Sequence, residues 1–227
     1  MNIIDSLKNE MIVSCQAEGT DPFNTPEYVA LFAKAVMMGG AKAIRAEGIE
    51  KIRKIKECVN LPIIGLVKSA FSDGYVRITG TEDDVISLLE VGCDIVAIDG
   101  TFRIREGLSG PDFISKIKRK YNCTVLADIS TYKEAVACQY AGADCVSTTL
   151  SGYTPDTIAM SSSVDFSLIE KLCKNLQIPV FAEGRINTPE DASKVMSLGA
   201  YAVITGTAIT RPRIITQWFV QSIKKRR

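Results

Sequence analysis

Apolar residues in this chain fall into short, almost unbroken runs at residues 11–16, 62–68, 124–128 and 179–183. Runs without polar alternation are what strands buried on both faces look like, the mark of a parallel sheet covered by helices. A second series lies between them: Gly40-Ala41-Lys42-Ala43-Ile44, Gly92-Cys93-Asp94-Ile95-Val96, Gly142-Ala143-Asp144-Cys145-Val146 and Gly199-Ala200-Tyr201-Ala202-Val203. Each is glycine, a small residue, two further residues and a β-branched one, returning with a period of roughly fifty residues. The segments 26–38, 49–59, 82–91, 111–121, 132–141, 164–176, 189–198 and 212–225 carry helical apolar spacing. The unit is therefore strand, helix, strand, helix, used four times. Eight such strands predict an α/β protein, one (β/α)8 TIM barrel over residues 1–227 as a single domain. An open doubly wound sheet is the alternative arrangement of the same elements.

Local signals agree with the units. Thr25-Pro26 and Thr188-Pro189 place a hydroxyl at the N-cap and proline at the first helical position, while Gly39, Gly92, Gly142 and Gly199 follow helix ends. Helix-to-strand links are short, but the strand-to-helix links 17–25, 69–81 and 150–163 are long. Long loops in compact domains tend to be functional, and barrel active sites lie at the C-terminal strand ends.

Reading those ends gives Gln16, Arg45, Lys68, Asp99 with Thr101, Asp128, Thr148-Thr149, Glu183-Gly184-Arg185 and Gly206-Thr207. This is a polar ring on an apolar barrel. Lys68 and Glu183 stand out because a lysine or glutamate at the end of an apolar strand is rarely buried unless paired or functional. The plain reading is an ion pair between the two, or side chains pointing to solvent. The functional one is that burial and cationic neighbours such as Arg45 lower the pKa of Lys68 until it can act as a base. At the seventh and eighth strand exits, Glu183-Gly184-Arg185 and Thr205-Gly206-Thr207-Ala208-Ile209-Thr210-Arg211-Pro212 occupy the place where barrels often hold a phosphate on backbone N–H groups. Gly206 as a simple tight turn and Arg211 as a solvated charge are the alternatives there.

Composition narrows the chemistry. Lys+Arg 27 against Asp+Glu 26 leaves a net charge of +1, with no basic stripe to point to a nucleic-acid partner. Met1-Asn2-Ile3-Ile4-Asp5-Ser6 lacks the signal-peptide pattern and no apolar run reaches membrane-spanning length, so no membrane association and a cytoplasmic location are expected. Seven cysteines without a C-x-x-C pair read as reduced core thiols. The basic end, Lys224-Lys225-Arg226-Arg227, reads as cations complementing a helix C-terminus. The most informative count is His 0. Serine or cysteine triads and histidine-ligated zinc are excluded, and acid–base work falls to Lys, Asp, Glu, Tyr or Cys. Asp99, Asp128 and Glu183 have no second acidic group adjacent in sequence, so no metal is expected.

At this point the motifs resemble a known family, the N-acylglucosamine-6-phosphate 2-epimerases, which interconvert N-acetylmannosamine 6-phosphate and N-acetylglucosamine 6-phosphate in sialic acid catabolism. The resemblance covers essentially the whole chain. It rests on Ile12-Val13-Ser14-Cys15-Gln16-Ala17, Ala43-Ile44-Arg45-Ala46, Pro62-Ile63-Ile64-Gly65-Leu66-Val67-Lys68, Ala127-Asp128-Ile129-Ser130-Thr131, Val146-Ser147-Thr148-Thr149-Leu150-Ser151-Gly152-Tyr153-Thr154 and Ala182-Glu183-Gly184-Arg185-Ile186-Asn187-Thr188-Pro189. It implies a barrel of the ribulose-phosphate-binding type, with Lys68 and Glu183 as the acid–base pair and Gln16, Arg45, Asp128 and Tyr153 on the sugar. Gly184, Arg185, Gly206, Thr207 and Arg211 would take the phosphate. It further implies no cofactor, a phosphorylated N-acyl amino sugar as partner, and a homodimer, to which Trp218-Phe219-Val220 offers a contact. Asp99-Gly100-Thr101 replaces the family's usual Asp-Ala-Thr, and Thr205-Gly206-Thr207 replaces a stretch that more often reads Gly-Gly; both departures bear on loop and phosphate detail.

Two other readings remain open. Another phosphosugar barrel reaction is one, although Leu66-Val67-Lys68-Ser69-Ala70-Phe71 lacks the Asp-x-Lys-x-x-Asp pattern of the decarboxylases, and metal-dependent pentulose-phosphate epimerases need histidines. A barrel that binds a sugar phosphate without turning it over is the other.

Overall fold

The computed structural model describes residues 3–73, 75–158 and 163–224. Its strands, in chain order, are β1 (Met11–Cys15), β2 (Ala43–Glu47), β3 (Ile63–Leu66), β4 (Lys68–Ala70), β5 (Val76–Ile78), β6 (Ile95–Asp99), β7 (Val125–Asp128), β8 (Cys145–Ser147), β9 (Val180–Glu183) and β10 (Ala202–Thr205). The helices are α1 (Pro26–Met38), α2 (Ile49–Lys56), α3 (Glu82–Glu90), α4 (Gly110–Lys120), α5 (Tyr132–Tyr140), α6 (Phe166–Asn175), α7 (Pro189–Ser197), α8 (Thr207–Thr210) and α9 (Pro212–Lys224). Eight parallel strands close in the order β1-β10-β9-β8-β7-β6-β3-β2, which excludes the open sheet.

Strand periodicity divides the apolar residues between two layers. Ile12, Ala43, Ile64, Ile95, Leu126 and Phe181 point inward and pack together inside the barrel. Their neighbours Val13, Ile44, Ile63, Val96, Val125 and Val180 point outward beneath the helices. Ile4 and Leu7, on a 3-10 turn ahead of β1, are buried with the inner set.

The expected helix starts are present, with Thr25 accepting from the Tyr28 N–H and Thr188 from the Asp191 N–H. Thr81 with Asp84 and Thr131 with Glu134 add complete capping boxes. At the first helix end it is Gly40, φ +100°, rather than Gly39 that takes the left-handed conformation, as Gly92, Gly142 and Gly199 do at theirs. One thiol departs from expectation, since Cys58 is exposed. The expected extension of the last helix to 225 and the basic positions 225–227 lie outside the described residues.

The third barrel strand corrects the sequence reading. It ends at Leu66 rather than running through Lys68, and the chain then doubles back as an antiparallel hairpin of β4 and β5. Lys68 therefore stands on a loop hairpin above the barrel, with its side chain about a third exposed, and the burial expected of it is absent.

Candidate active site

The barrel mouth is polar because of the same alternation that makes its interior apolar. Two residues beyond the inward-facing Ala43, Leu126, Cys145 and Phe181 lie Arg45, Asp128, Ser147 and Glu183, on the same face one step higher. A cleft of ≈ 1020 Å³ opens above them, and all three long loops contribute to it through Glu18, Tyr75 and Tyr153. A small cavity of ≈ 70 Å³ shares Gln16, Lys68, Thr149 and Glu183 with that cleft and adds Arg45.

On one side of the mouth the charges are buried and tightly joined. The Arg45 guanidinium donates two parallel hydrogen bonds to Asp128, 3.1 Å to Oδ1 and 2.6 Å to Oδ2, and its Nε lies 3.5 Å from Glu183 Oε1. A planar fork matched to a carboxylate is the geometry that arginine supplies and lysine cannot. Thr149 Oγ1 lies 2.6 Å from Asp128 Oδ1 and 2.8 Å from Glu183 Oε2, and Ser147 Oγ lies 3.2 Å from that same glutamate oxygen. Thr148 holds the Glu183 backbone: its hydroxyl donates to the Glu183 carbonyl at 2.8 Å and accepts from the Glu183 N–H at 3.0 Å. Burial pushes the Glu183 carboxyl above the ordinary carboxylate range despite Arg45, and the charge of Asp128 adds to the rise.

The other side is open. Lys68 pairs with Glu18, which also faces Arg211 at 3.5 Å, so the β1–α1 loop and the β10 exit meet at one carboxylate. Burial works to raise the Glu18 pKa, but Lys68, Arg211 and Lys51 together bring it below the ordinary value. The Lys68–Glu183 ion pair considered from the sequence is replaced by two separate pairings, Lys68 with Glu18 and Glu183 with Arg45.

At the β9 and β10 exits, Gly184 has φ +106° and Arg185 φ +56°, so the backbone bends sharply as it leaves the barrel. The Arg185 guanidinium donates to the Ser151 and Gly152 carbonyls at 2.8 and 2.9 Å and stacks over the Tyr153 ring at 4.0 Å. Its side chain thus ties the β8–α6 loop to the end of β9. A Cβ on Gly206 would strike the Gln16 amide and lie 3.2 Å from the Ser14 Cβ, so any side chain there would displace Gln16 from its place. Thr207 opens α8, in which the Ile209 and Thr210 N–H groups both donate to the Gly206 carbonyl at 2.9 Å, leaving those of Thr207 and Ala208 at the start of the turn without an acceptor within the helix.

Nine of the expected site residues line the large cleft, and Arg45 lines the small cavity beneath. Asp128 lines neither; with no exposed surface, it acts on the cleft through Arg45 and Thr149. Asp99 is committed elsewhere, bonded to Thr101, Arg103 and Arg105 under the β6–α4 loop. Sequence reasoning missed Glu18 and the bridging role of Thr149. Thr149 was visible as a polar strand-end residue, whereas nothing in the sequence pairs Glu18 with a lysine fifty positions away.

A closed eight-stranded α/β barrel with a cleft lined by charged side chains at the C-terminal ends of its strands is the architecture of a barrel enzyme. The family model described as "Putative N-acetylmannosamine-6-phosphate epimerase" matches residues 29–225, and the chain belongs to that family. Two relatives bear the name "Putative N-acetylmannosamine-6-phosphate 2-epimerase". One, from Clostridioides difficile (strain 630), is 45% identical over 222 residues, covering 98% of this chain and 99% of its own. The other, from Caldanaerobacter subterraneus subsp. tengcongensis, is 48% identical over 229 residues, covering 100% and 96%. The solved structure of the N-acetylmannosamine-6-phosphate 2-epimerase from Clostridium perfringens superposes with a TM-score of 0.91 at 44% identity, over 97% of this chain and 96% of that one. Thiamine phosphate pyrophosphorylase from Pyrococcus furiosus, at 18% identity and a TM-score of 0.62, shares the fold alone.

Proposed function

We propose that this protein is a 2-epimerase that interconverts N-acetylmannosamine 6-phosphate and N-acetylglucosamine 6-phosphate without a cofactor, by removing and returning the proton at C2. The observation that carries this reading is that Lys68 and Glu183, two groups of opposite charge type with separate partners, line the same small cavity. Family membership supplies the substrate class, and the site supplies groups able to act on it.

Inverting C2 of a 2-acetamido sugar begins with the open chain, where the C2–H is acidified by the C1 aldehyde. A base takes that proton, its electron pair moves into the enolate, and an acid returns a proton to the other face. Lys68, on the open side, is assigned as the base. Glu183, whose carboxyl is pushed toward its protonated form by burial and the Asp128 charge, is the acid partner. Gln16 and Tyr153 line the cleft where the sugar would lie, and Arg45 faces it from the small cavity, held in place by Asp128. The phosphate is assigned to the backbone of Gly184, Arg185, Gly206 and Thr207 with the Arg211 side chain, so that a remote group positions the reacting carbon.

The homodimer belongs to this proposal as well, and the exposed Phe219, Val220 and Ile223 of α9 give it a contact surface. So do the cytoplasmic location and a place in amino-sugar catabolism; among the described residues no helix is long and apolar enough to cross a membrane. The test is direct. Purified protein is incubated with N-acetylmannosamine 6-phosphate, and the anomeric proton signals are followed by NMR. The expected result is an equilibrium mixture with N-acetylglucosamine 6-phosphate, lost in Lys68→Ala. Stabilisation of the fold by the sugar phosphate with no new epimer would instead favour a binding barrel.

A further inference from the structure

The oxygens around Glu183 make more contacts than their protons can serve. Thr149 Oγ1 touches Asp128 Oδ1 at 2.6 Å, Glu183 Oε2 at 2.8 Å and Ser147 Oγ at 2.8 Å, and Ser147 Oγ also reaches Glu183 Oε2 at 3.2 Å. Each hydroxyl has one proton to donate. With both carboxylates ionised, two protons would have to serve four close O···O contacts, and lone pairs would face each other in a buried site. A third proton on the cluster removes most of that conflict.

The geometry also says where that proton sits. Both Asp128 oxygens are occupied by donors, Oδ2 by Arg45 Nη2 and Oδ1 by Arg45 Nη1 and Thr149. A proton on Asp128 would break the bidentate pair. Glu183 has no such fork, only the Arg45 Nε at 3.5 Å from its Oε1, and its Oε2 faces two hydroxyls that can accept. We infer that Thr149 is a positioning residue that donates to Asp128 and accepts from Glu183, locking one proton on Glu183 Oε2 so that the resting site presents a neutral acid beside the buried Arg45–Asp128 pair.

The groups facing Glu183 fit this state. Arg45 comes from β2 and Asp128 from β7, their charges cancelling, and the neutral Ser147 and Thr149 come from the β8 end. Lys68, Glu18 and Arg211 stand across the cleft, tied to one another. Burial and the Asp128 charge raise the Glu183 carboxyl in the same direction. During turnover the O–H bond of Glu183 would break as its proton passes to substrate carbon or oxygen. The negative charge left behind is met by Arg45 Nε, and the base that took the C2 proton carries the balancing one.

The assignment deepens the epimerase reading but can be tested without substrate. Infrared spectra of the free protein at pH 7 should contain the C=O stretch of a neutral carboxyl group, absent in Glu183→Gln. Thr149→Val keeps the shape and removes the hydroxyl; it should weaken that band and move the alkaline limb of the kcat profile down by about one pH unit, with KM little changed, and Thr149→Ser should restore both. Absence of a neutral carboxyl band in the wild type at pH 7 would overturn the inference. So would a band that survives in Glu183→Gln, or one that Thr149→Val leaves untouched. If Thr149→Val fails to fold, the comparison of wild type with Glu183→Gln still decides where the proton resides. Failure of the epimerase reading would show as missing turnover with the band intact.

Discussion

The two sides of the barrel mouth hold their charges in opposite ways. Around Asp128 and Glu183, where Arg45 reaches over from β2 to the β7 and β9 ends, Asp128 has no exposed surface, Arg45 is 2% exposed, and every close partner is a strand-end side chain or the turn after β8. Lys68, on the β4–β5 hairpin, and Glu18, on the β1–α1 loop, are instead each more than a third exposed. Screening and side-chain freedom keep exposed pairs weak, whereas a buried cluster is strong only while every member has its partner. On the proposed mechanism this is a division of labour: the buried side would fix geometry and protonation, and the open side would release its lysine when a substrate enters. Even the open side is anchored, since Arg103, held by Asp99 at 2.6 Å, donates to the Val76 carbonyl of the hairpin at 3.3 Å.

The largest effects should separate the sides by what each loses. Lys68→Ala and Glu183→Gln should each reduce kcat by about 10²- to 10⁴-fold, the range of a positioned acid or base. Chemical denaturation should show Lys68→Ala within about 0.5 kcal/mol of wild type, as for a surface substitution. Equal activity losses with unequal stability responses would sharpen the contrast, and a large stability loss in Lys68→Ala would break it.

Arg45→Met should be the most damaging to the fold, by about 3–5 kcal/mol near pH 8, because it strands two buried carboxyls without their cation. The loss should shrink near pH 5, where the carboxyls can take up protons, and urea titrations at the two pH values measure the difference. Glu183 itself predicts a smaller effect. Its folded pKa is raised, so its contribution to stability is complete below the ordinary carboxyl pKa and fades as pH rises through the raised value. Wild type should therefore lose stability toward alkaline pH relative to Glu183→Gln, by about 1.4 kcal/mol for each pH unit separating the ordinary value from the raised one. The smallest effect is expected at Glu18→Gln, which removes an exposed pairing worth about 1 kcal/mol or less. Its signature should be a stronger salt dependence of KM, because Lys68 and Arg211 lose the carboxylate that neutralises them, rather than a change in melting temperature.

Much of this was legible in the sequence because barrel and site obey the same period. The glycine-led repeat marked the strand entries, and the ends of the apolar runs marked Arg45, Asp128 and Glu183 without any knowledge of their contacts. Lys68 shows where that logic stops. The apolar Val67 extends the run past the end of β3, and three-residue strands such as β4 and β5 are too short to show alternation within a loop. Partnerships were harder still. Which carboxylate meets Lys68 and which hydroxyl bridges Asp128 to Glu183 depend on loops packed across the mouth, not on spacing along the chain.

If the two sides cooperate in moving a proton at C2, deuterium reveals it most plainly. N-acetylmannosamine 6-phosphate is incubated with the protein in deuterated water, and the C2 position of both epimers is read by proton NMR. Cooperation of the two sides predicts N-acetylglucosamine 6-phosphate carrying deuterium at C2, with inversion lost in both Lys68→Ala and Glu183→Gln. Inversion with the original hydrogen retained at C2, or inversion that survives in either variant, would contradict it.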